Sequence, residues 1–166
     1  GSELVEKYKN VIMLRTFSKL HGLAGLRLGW GYCSSEIIKY LMAVRGPFSV
    51  NSMAIDAGII AMEDVNFQNF CFDFNLKSMK FMVNELNNLN VKFINSSTNF
   101  ILINLSDKDK LSAKKAASFF RDNGVLVREM NVYNLPNHIR VSLGTEEENN
   151  YFLNLLKKFV TQNANR

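Results

Sequence analysis

The stretch from Val11 to Gly31, VIMLRTFSKLHGLAGLRLGWG, constrains the fold most. An apolar β-type run from Val11 to Leu14 leads into Thr16-Phe17-Ser18-Lys19. Gly22, Gly25 and Gly29 then punctuate a loop, and Leu28 to Cys33 forms a second run. Runs this short, bounded by turn residues, read as short buried strands. The glycines permit backbone conformations and close approaches that a side chain would block. Their spacing does not match the P-loop or dinucleotide fingerprints.

Helices are expected around these strands. Ser34-Ser35-Glu36 starts one, with Ile37, Ile38, Leu41, Met42 and Val44 as its apolar stripe, and Gly46-Pro47 ends it. Asn51 or Ser52 caps the next, whose apolar positions run from Met53 to Met62. A long amphipathic helix covers 66–89, with Phe67, Phe70, Phe74, Phe81, Met82 and Leu86 near helical spacing. Beyond it the pattern changes to the strand candidates 91–94, 99–105, 125–128 and 138–143. A helix over 112–122 lies among them, with Gly124 as its C-terminal cap. Thr145 caps a final helix whose acidic first turn, Glu146-Glu147-Glu148, complements the helix dipole.

The 166 residues are 47% apolar, enough for one sizeable core or two lobes. The net charge of +5 is scattered, with only Lys114-Lys115 and Lys157-Lys158 adjacent. A nucleic-acid partner would call for clustered charge, so none is expected. Cys33 and Cys71 lack metal-ligand spacing and are expected as buried, reduced thiols. His21 and His138 have no partners at ligand spacing, so no metal site is expected. Trp30, Tyr32 and Tyr133 read as packing residues. With no membrane-length apolar run and no signal-peptide pattern, a cytoplasmic protein is expected. Gly1-Ser2 has the form of a remnant of a cleaved tag, so the chain is expected to begin inside a longer protein.

Lys19 carries the chemistry. A lysine at a strand end, flanked by hydroxyls and followed by Arg27, suits a phosphorylated aldehyde cofactor. The amine can form a Schiff base, while Ser18, Thr16 and the forked Arg27 guanidinium hold the phosphate. Read separately, Lys19 could be a solvated lysine, and Ser18 and Thr16 ordinary turn residues. The long pattern of strand, Thr-x-Ser-Lys, glycine loop and Gly25-Leu26-Arg27-Leu28-Gly29 resembles the pyridoxal-phosphate aminotransferases of fold type I, most closely histidinol-phosphate aminotransferases.

That resemblance implies an α/β chain comprising the end of the large cofactor domain, residues 1–66, and the small C-terminal α+β domain, residues 67–166. It implies pyridoxal 5'-phosphate, with Lys19 catalytic and Thr16, Ser18, Lys19 and Arg27 holding the cofactor. The segment His138 to Thr145 is similar to the family's Leu-Arg-Ile-Thr-Val-Gly-Thr, which gives Arg140 the substrate α-carboxylate. An arginine snorkelling at a strand end is the alternative. The segment Gly124 to Glu129 resembles Gly-Ile-Leu-Val-Arg-Asp, which gives Arg128 the substrate phosphate. Here Glu129 stands where Asp is usual, and a structural ion pair with Glu129 or another acid is the alternative. Asn99 matches a family segment but could serve only strand-start geometry.

The implied reaction moves an amino group between histidinol phosphate, or a similar amino compound, and a 2-oxo acid such as 2-oxoglutarate, in a homodimer. A threonine-phosphate decarboxylase is the runner-up, and a folding or dimerisation module is a third reading. The resemblance covers only the C-terminal part of the family's length. It therefore implies that N-terminal cofactor contacts are missing and that the isolated chain is inactive.

Overall fold

The computed structural model describes residues 1–105 and 112–164. They form two compact units, residues 1–72 and 73–166.

In the first unit, α1 (Ser2–Lys7) packs on a two-stranded antiparallel sheet, β1 (Ile12–Thr16) and β2 (Gly29–Cys33). The register sets Ile12 opposite Cys33 and Thr16 opposite Gly29. Helix α2 (Ser35–Val44) follows with Ser34 at its N-cap, and α3 (Ser52–Glu63) with Asn51. The Asn51 Oδ1 accepts the Ala54 N–H at 2.8 Å, satisfying one of the orphan donors of the first turn.

The expectation of buried strands fails here. Leu14 is 76% exposed, and Cys33 alone is buried in the two strands. A strand is buried only by what pairs with it and packs on it, and among the described residues β1 and β2 pair only with each other. Trp30 and Tyr32 are likewise exposed. Cys71 is half-buried, not buried as expected, and both thiols are free.

Helix α4 (Val65–Asn88) leads into the second unit, a four-stranded antiparallel sheet of order β3-β4-β6-β5. Its strands are β3 (Phe93–Ile94), β4 (Phe100–Asn104), β5 (Arg128–Glu129) and β6 (His138–Ser142), with α5 (Ala113–Asp122) and α6 (Glu146–Ala164). Strand alternation sends Ile101, Ile103, Ile139 and Val141 into one core with Met82, Leu86, Phe120, Phe152, Leu156 and Phe159. Phe67, Phe70 and Phe74, read as part of the buried stripe of α4, are exposed; its buried positions are Ser78, Met82 and Leu86.

Two strands are shorter than expected for one shared reason. Asn90 and Gly124 adopt positive φ after α4 and α5. The Val91 N–H then bonds to Leu86 O, and the Val125 N–H to Phe120 O. This Schellman geometry claims the valines as helix stops before any ladder begins. At α6 the expected cap is a reciprocal box. Thr145 N–H donates to Glu148 Oε2 at 2.7 Å, and Glu148 N–H to Thr145 Oγ1 at 3.3 Å. The Thr145 N–H, and after it the Thr145 hydroxyl, hold the Glu148 carboxyl below its ordinary pKa.

Candidate active site

The lysine loop joins β1 to β2. It is tied at its base, where Phe17 N–H donates to Leu28 O at 3.1 Å and Leu23 N–H to Phe17 O at 3.0 Å. Phe17 is buried and its ring lies 4.7 Å from that of His21. The turn carrying Lys19 closes through Gly22 N–H to Lys19 O at 3.0 Å, with Gly22 at φ +67°. At Gly29 a Cβ would stand 2.8 Å from Arg15 O, so the hairpin crossing requires glycine. Gly25 meets neither condition, and its expected backbone role is absent.

Lys19 is exposed and makes no ion pair among the described residues. Thr16, at the end of β1, uses its hydroxyl locally: it accepts the Ser18 N–H at 3.0 Å and donates to Ser18 Oγ at 2.8 Å. This turns the Ser18 hydroxyl hydrogen away from Thr16 and frees it for another acceptor. Arg27 is exposed in the left-handed region, at φ 57° and ψ 42°. Its Nη1 donates to Ala24 O at 2.8 Å across a 3-10 turn, so one guanidinium donor shapes the loop while others remain. A non-glycine residue at positive φ persists only where its surroundings impose it.

The second unit carries the two other candidate arginines. Arg140 on β6 pairs in register with Leu102 on one side and with Arg128 of β5 on the other. Directly opposed residues of an antiparallel pair share a face. The two guanidinium-bearing residues are therefore cross-strand neighbours on the face away from the core. The Arg140 guanidinium carbon lies 4.7 Å from the Phe100 ring centroid, and that of Arg128 lies 5.7 Å from the Tyr133 ring. Among the described residues neither arginine has a carboxylate partner.

The ion pair of Arg128 with Glu129 is not formed. Successive strand residues face opposite ways, and Glu129 pairs with Ile139 of the core face. Alternation turns Arg140 outward, where it is half-buried against the Phe100 ring. Tyr133, read as a packing residue, is 55% exposed and sits against Arg128. Phe100 was missed by residue reasoning, although Arg140 and Phe100 both occupy the outward phase of their strands. Asn99 O accepts the Leu143 N–H, while its Oδ1 is buried without a partner, as is Nδ1 of His138.

The sequence model of the family "Aminotransferase class I and II" matches residues 2–156. The chain belongs to this family. A histidinol-phosphate aminotransferase from Maricaulis maris is 38% identical over 96% of the chain, which spans 44% of that relative's length. The aminotransferase fold recurs in a histidinol-phosphate aminotransferase from Sinorhizobium meliloti, solved with pyridoxal-5'-phosphate. That structure has 26% identity and a TM-score of 0.75, covering 90% of this chain and 40% of the other. L-threonine-O-3-phosphate decarboxylase from Porphyromonas gingivalis shares the fold at 24% identity and a TM-score of 0.81, covering 96% and 49%. The chain is thus mixed α/β with the fold type I architecture of its C-terminal part, and it spans less than half the length of such relatives. Among the described residues of this aminotransferase chain, no three His, Cys, Asp or Glu side chains could hold a metal, and no helix is long and apolar enough to cross a membrane.

Proposed function

We propose that this chain is the C-terminal part of a pyridoxal-phosphate-dependent aminotransferase that passes an amino group between histidinol phosphate, or a similar phosphorylated amine, and 2-oxoglutarate. The observation that carries the substrate reading is the opposition of Arg128 and Arg140 across β5 and β6. Like charges directly opposite one another destabilise a sheet. A dianionic group between them removes that penalty, and paired guanidinium donors suit phosphate and carboxylate. Arg128 takes the substrate phosphate and Arg140 the carboxylate of the 2-oxo acid.

The lysine loop fits the cofactor by its donor set: an exposed amine at Lys19, a hydroxyl hydrogen at Ser18, the Thr16 hydroxyl beside it, and the remaining donors of Arg27. When bound, pyridoxal phosphate supplies the electron sink. The Lys19 amine would hold it, and its Nζ would carry the proton. Arg27 and Ser18 would hold its phosphate and so orient it toward Lys19. Residues 1–66 would act as the end of the large domain and 67–166 as the small one. The longer protein would be a cytoplasmic homodimer serving histidine biosynthesis, and the isolated chain inactive.

Pyridoxal phosphate added to the chain, then borohydride and peptide mapping, tests the assignment. The label is expected at Lys19 above the other lysines and is expected to fall in Arg27→Ala. Labelling spread evenly over exposed lysines would remove Lys19 from the catalytic role.

A further inference from the structure

We propose that Gly58, on helix α3, is a positioning residue for the lysine loop, acting through Leu28 and Phe17. The proposal rests on the assignment of Lys19 and Arg27 to the cofactor. Gly58 and Ala54 are the buried residues of α3, one turn apart on a single face. Glycine inside a helix is unfavourable relative to alanine, so a buried one signals close approach of a neighbour. The neighbour here is the lysine loop. A Cβ on Gly58 would overlap Leu28 Cδ2, stand 3.9 Å from Leu28 Cγ and touch Phe17 Cε1 at 3.7 Å.

Leu28 and Phe17 are the two ends of the loop, joined by the Phe17 N–H to Leu28 O bond. Lys19 lies two residues inside one end, and Arg27 adjoins the other. An added methyl has two ways to be accommodated. Leu28 can turn its isobutyl group, leaving the backbone in place, or the Leu28 backbone can lift from the helix. The second opens the loop base, because the same residue supplies the carbonyl that Phe17 uses. Phe17 Cε1 stays in ordinary contact with the added methyl, so the displacement falls on Leu28 and, in this proposal, reaches the Leu28 backbone, which the Phe17 amide reads.

Residue-resolved amide exchange on the ligand-free chain tests this in wild type, Gly58→Ala, Leu28→Ala and the double variant. Gly58→Ala is expected to speed exchange at Phe17 and Leu23 by about tenfold, with the amides of Ile59 to Glu63 unchanged. In the Leu28→Ala background, where the collision is gone, Gly58→Ala is expected to change neither loop amide. Unchanged loop amides in Gly58→Ala, an equal effect in both backgrounds, or exchange raised throughout α3 would each overturn the proposal. Borohydride trapping of pyridoxal phosphate on the same variants separates the two readings. Lys19 labelling is expected to drop in Gly58→Ala. Absence of Lys19 labelling in wild type would defeat the cofactor assignment, while the amide result would still decide the role of Gly58 in holding the loop.

Discussion

The two units draw on similar residues with different results. In the second, alternating strand residues and helix stripes meet in one core, where Phe120, Met82, Leu86, Ile101, Ile103, Ile139 and Leu156 are almost wholly enclosed. In the first, the buried apolar side chains are Val5, Phe17, Cys33 and Ala54, while Leu14, Trp30, Ile59, Ile60 and Phe48 stand in solvent. Apolar patterning states which face of an element seeks cover. Cover itself depends on a second apolar surface at the right place; within the first unit α1 supplies it to the strands and α3 to the base of the lysine loop. The loop is thus tied down locally, by backbone bonds and a few contacts, whereas the arginine pair rests on a sheet with a full core beneath it.

The largest effect that would break this comparison comes from core truncation. Phe120→Ala removes a ring packed against Phe119, Phe152 and Phe159 and is expected to cost about 3–5 kcal/mol in urea unfolding. Leu14→Ala in the first unit is expected to stay within about 0.5 kcal/mol. Comparable losses at both sites would mean that the hairpin is covered in solution.

A smaller effect sharpens the contrast between the two anion-binding candidates. Inorganic phosphate at ten times its Kd is expected to stabilise the second unit by about 1.4 kcal/mol, read as slowed exchange along β5 and β6. Arg128→Gln should abolish that response and leave the lysine loop amides as they were.

The smallest effect concerns pH. The capping box depresses the Glu148 pKa in the folded chain. Its contribution is present above the unfolded glutamate value and is lost as pH falls through the lower folded one. Glu148→Gln is expected to flatten this acid limb of the stability curve and to lower stability slightly at pH 7, where the carboxylate's contribution is present, while leaving stability at low pH unchanged. An unaltered acid limb would show that the box does not form.

Most element identities were legible because they depend on local chemistry. Asn51, Ser112 and Thr145 mark helix starts by their side-chain oxygens, and the outward phase of His138, Arg140 and Ser142 follows from strand alternation. Cover and register were not legible. Nothing in Val11 to Leu14 says that its partners leave both faces open. Nothing in the five residues Gly124 to Arg128 says that a helix stop will claim Val125. The candidate site was legible as residue types, from Lys19 to Arg140, but the opposition of Arg128 and Arg140 is a property of pairing that no single segment encodes. Gly58 carried no motif at all; it becomes visible only through what a side chain there would strike.

The Arg128–Arg140 register has a consequence for how β5 finds its place. A slip of one residue would turn Arg128 to the other face and set Glu129 opposite Arg140, exchanging a like-charge pair for an attractive one. Electrostatics alone therefore favours the wrong alignment, a local frustration built into the edge strand. The correct one is held from both ends by groups that carry no charge. Val125 is fixed to the end of α5 through Phe120 O, and Met130, buried, donates its N–H to His138 O at 3.2 Å. These anchors leave β5 no slack to slide, so the chain keeps two repelling cations face to face in the absence of any anion.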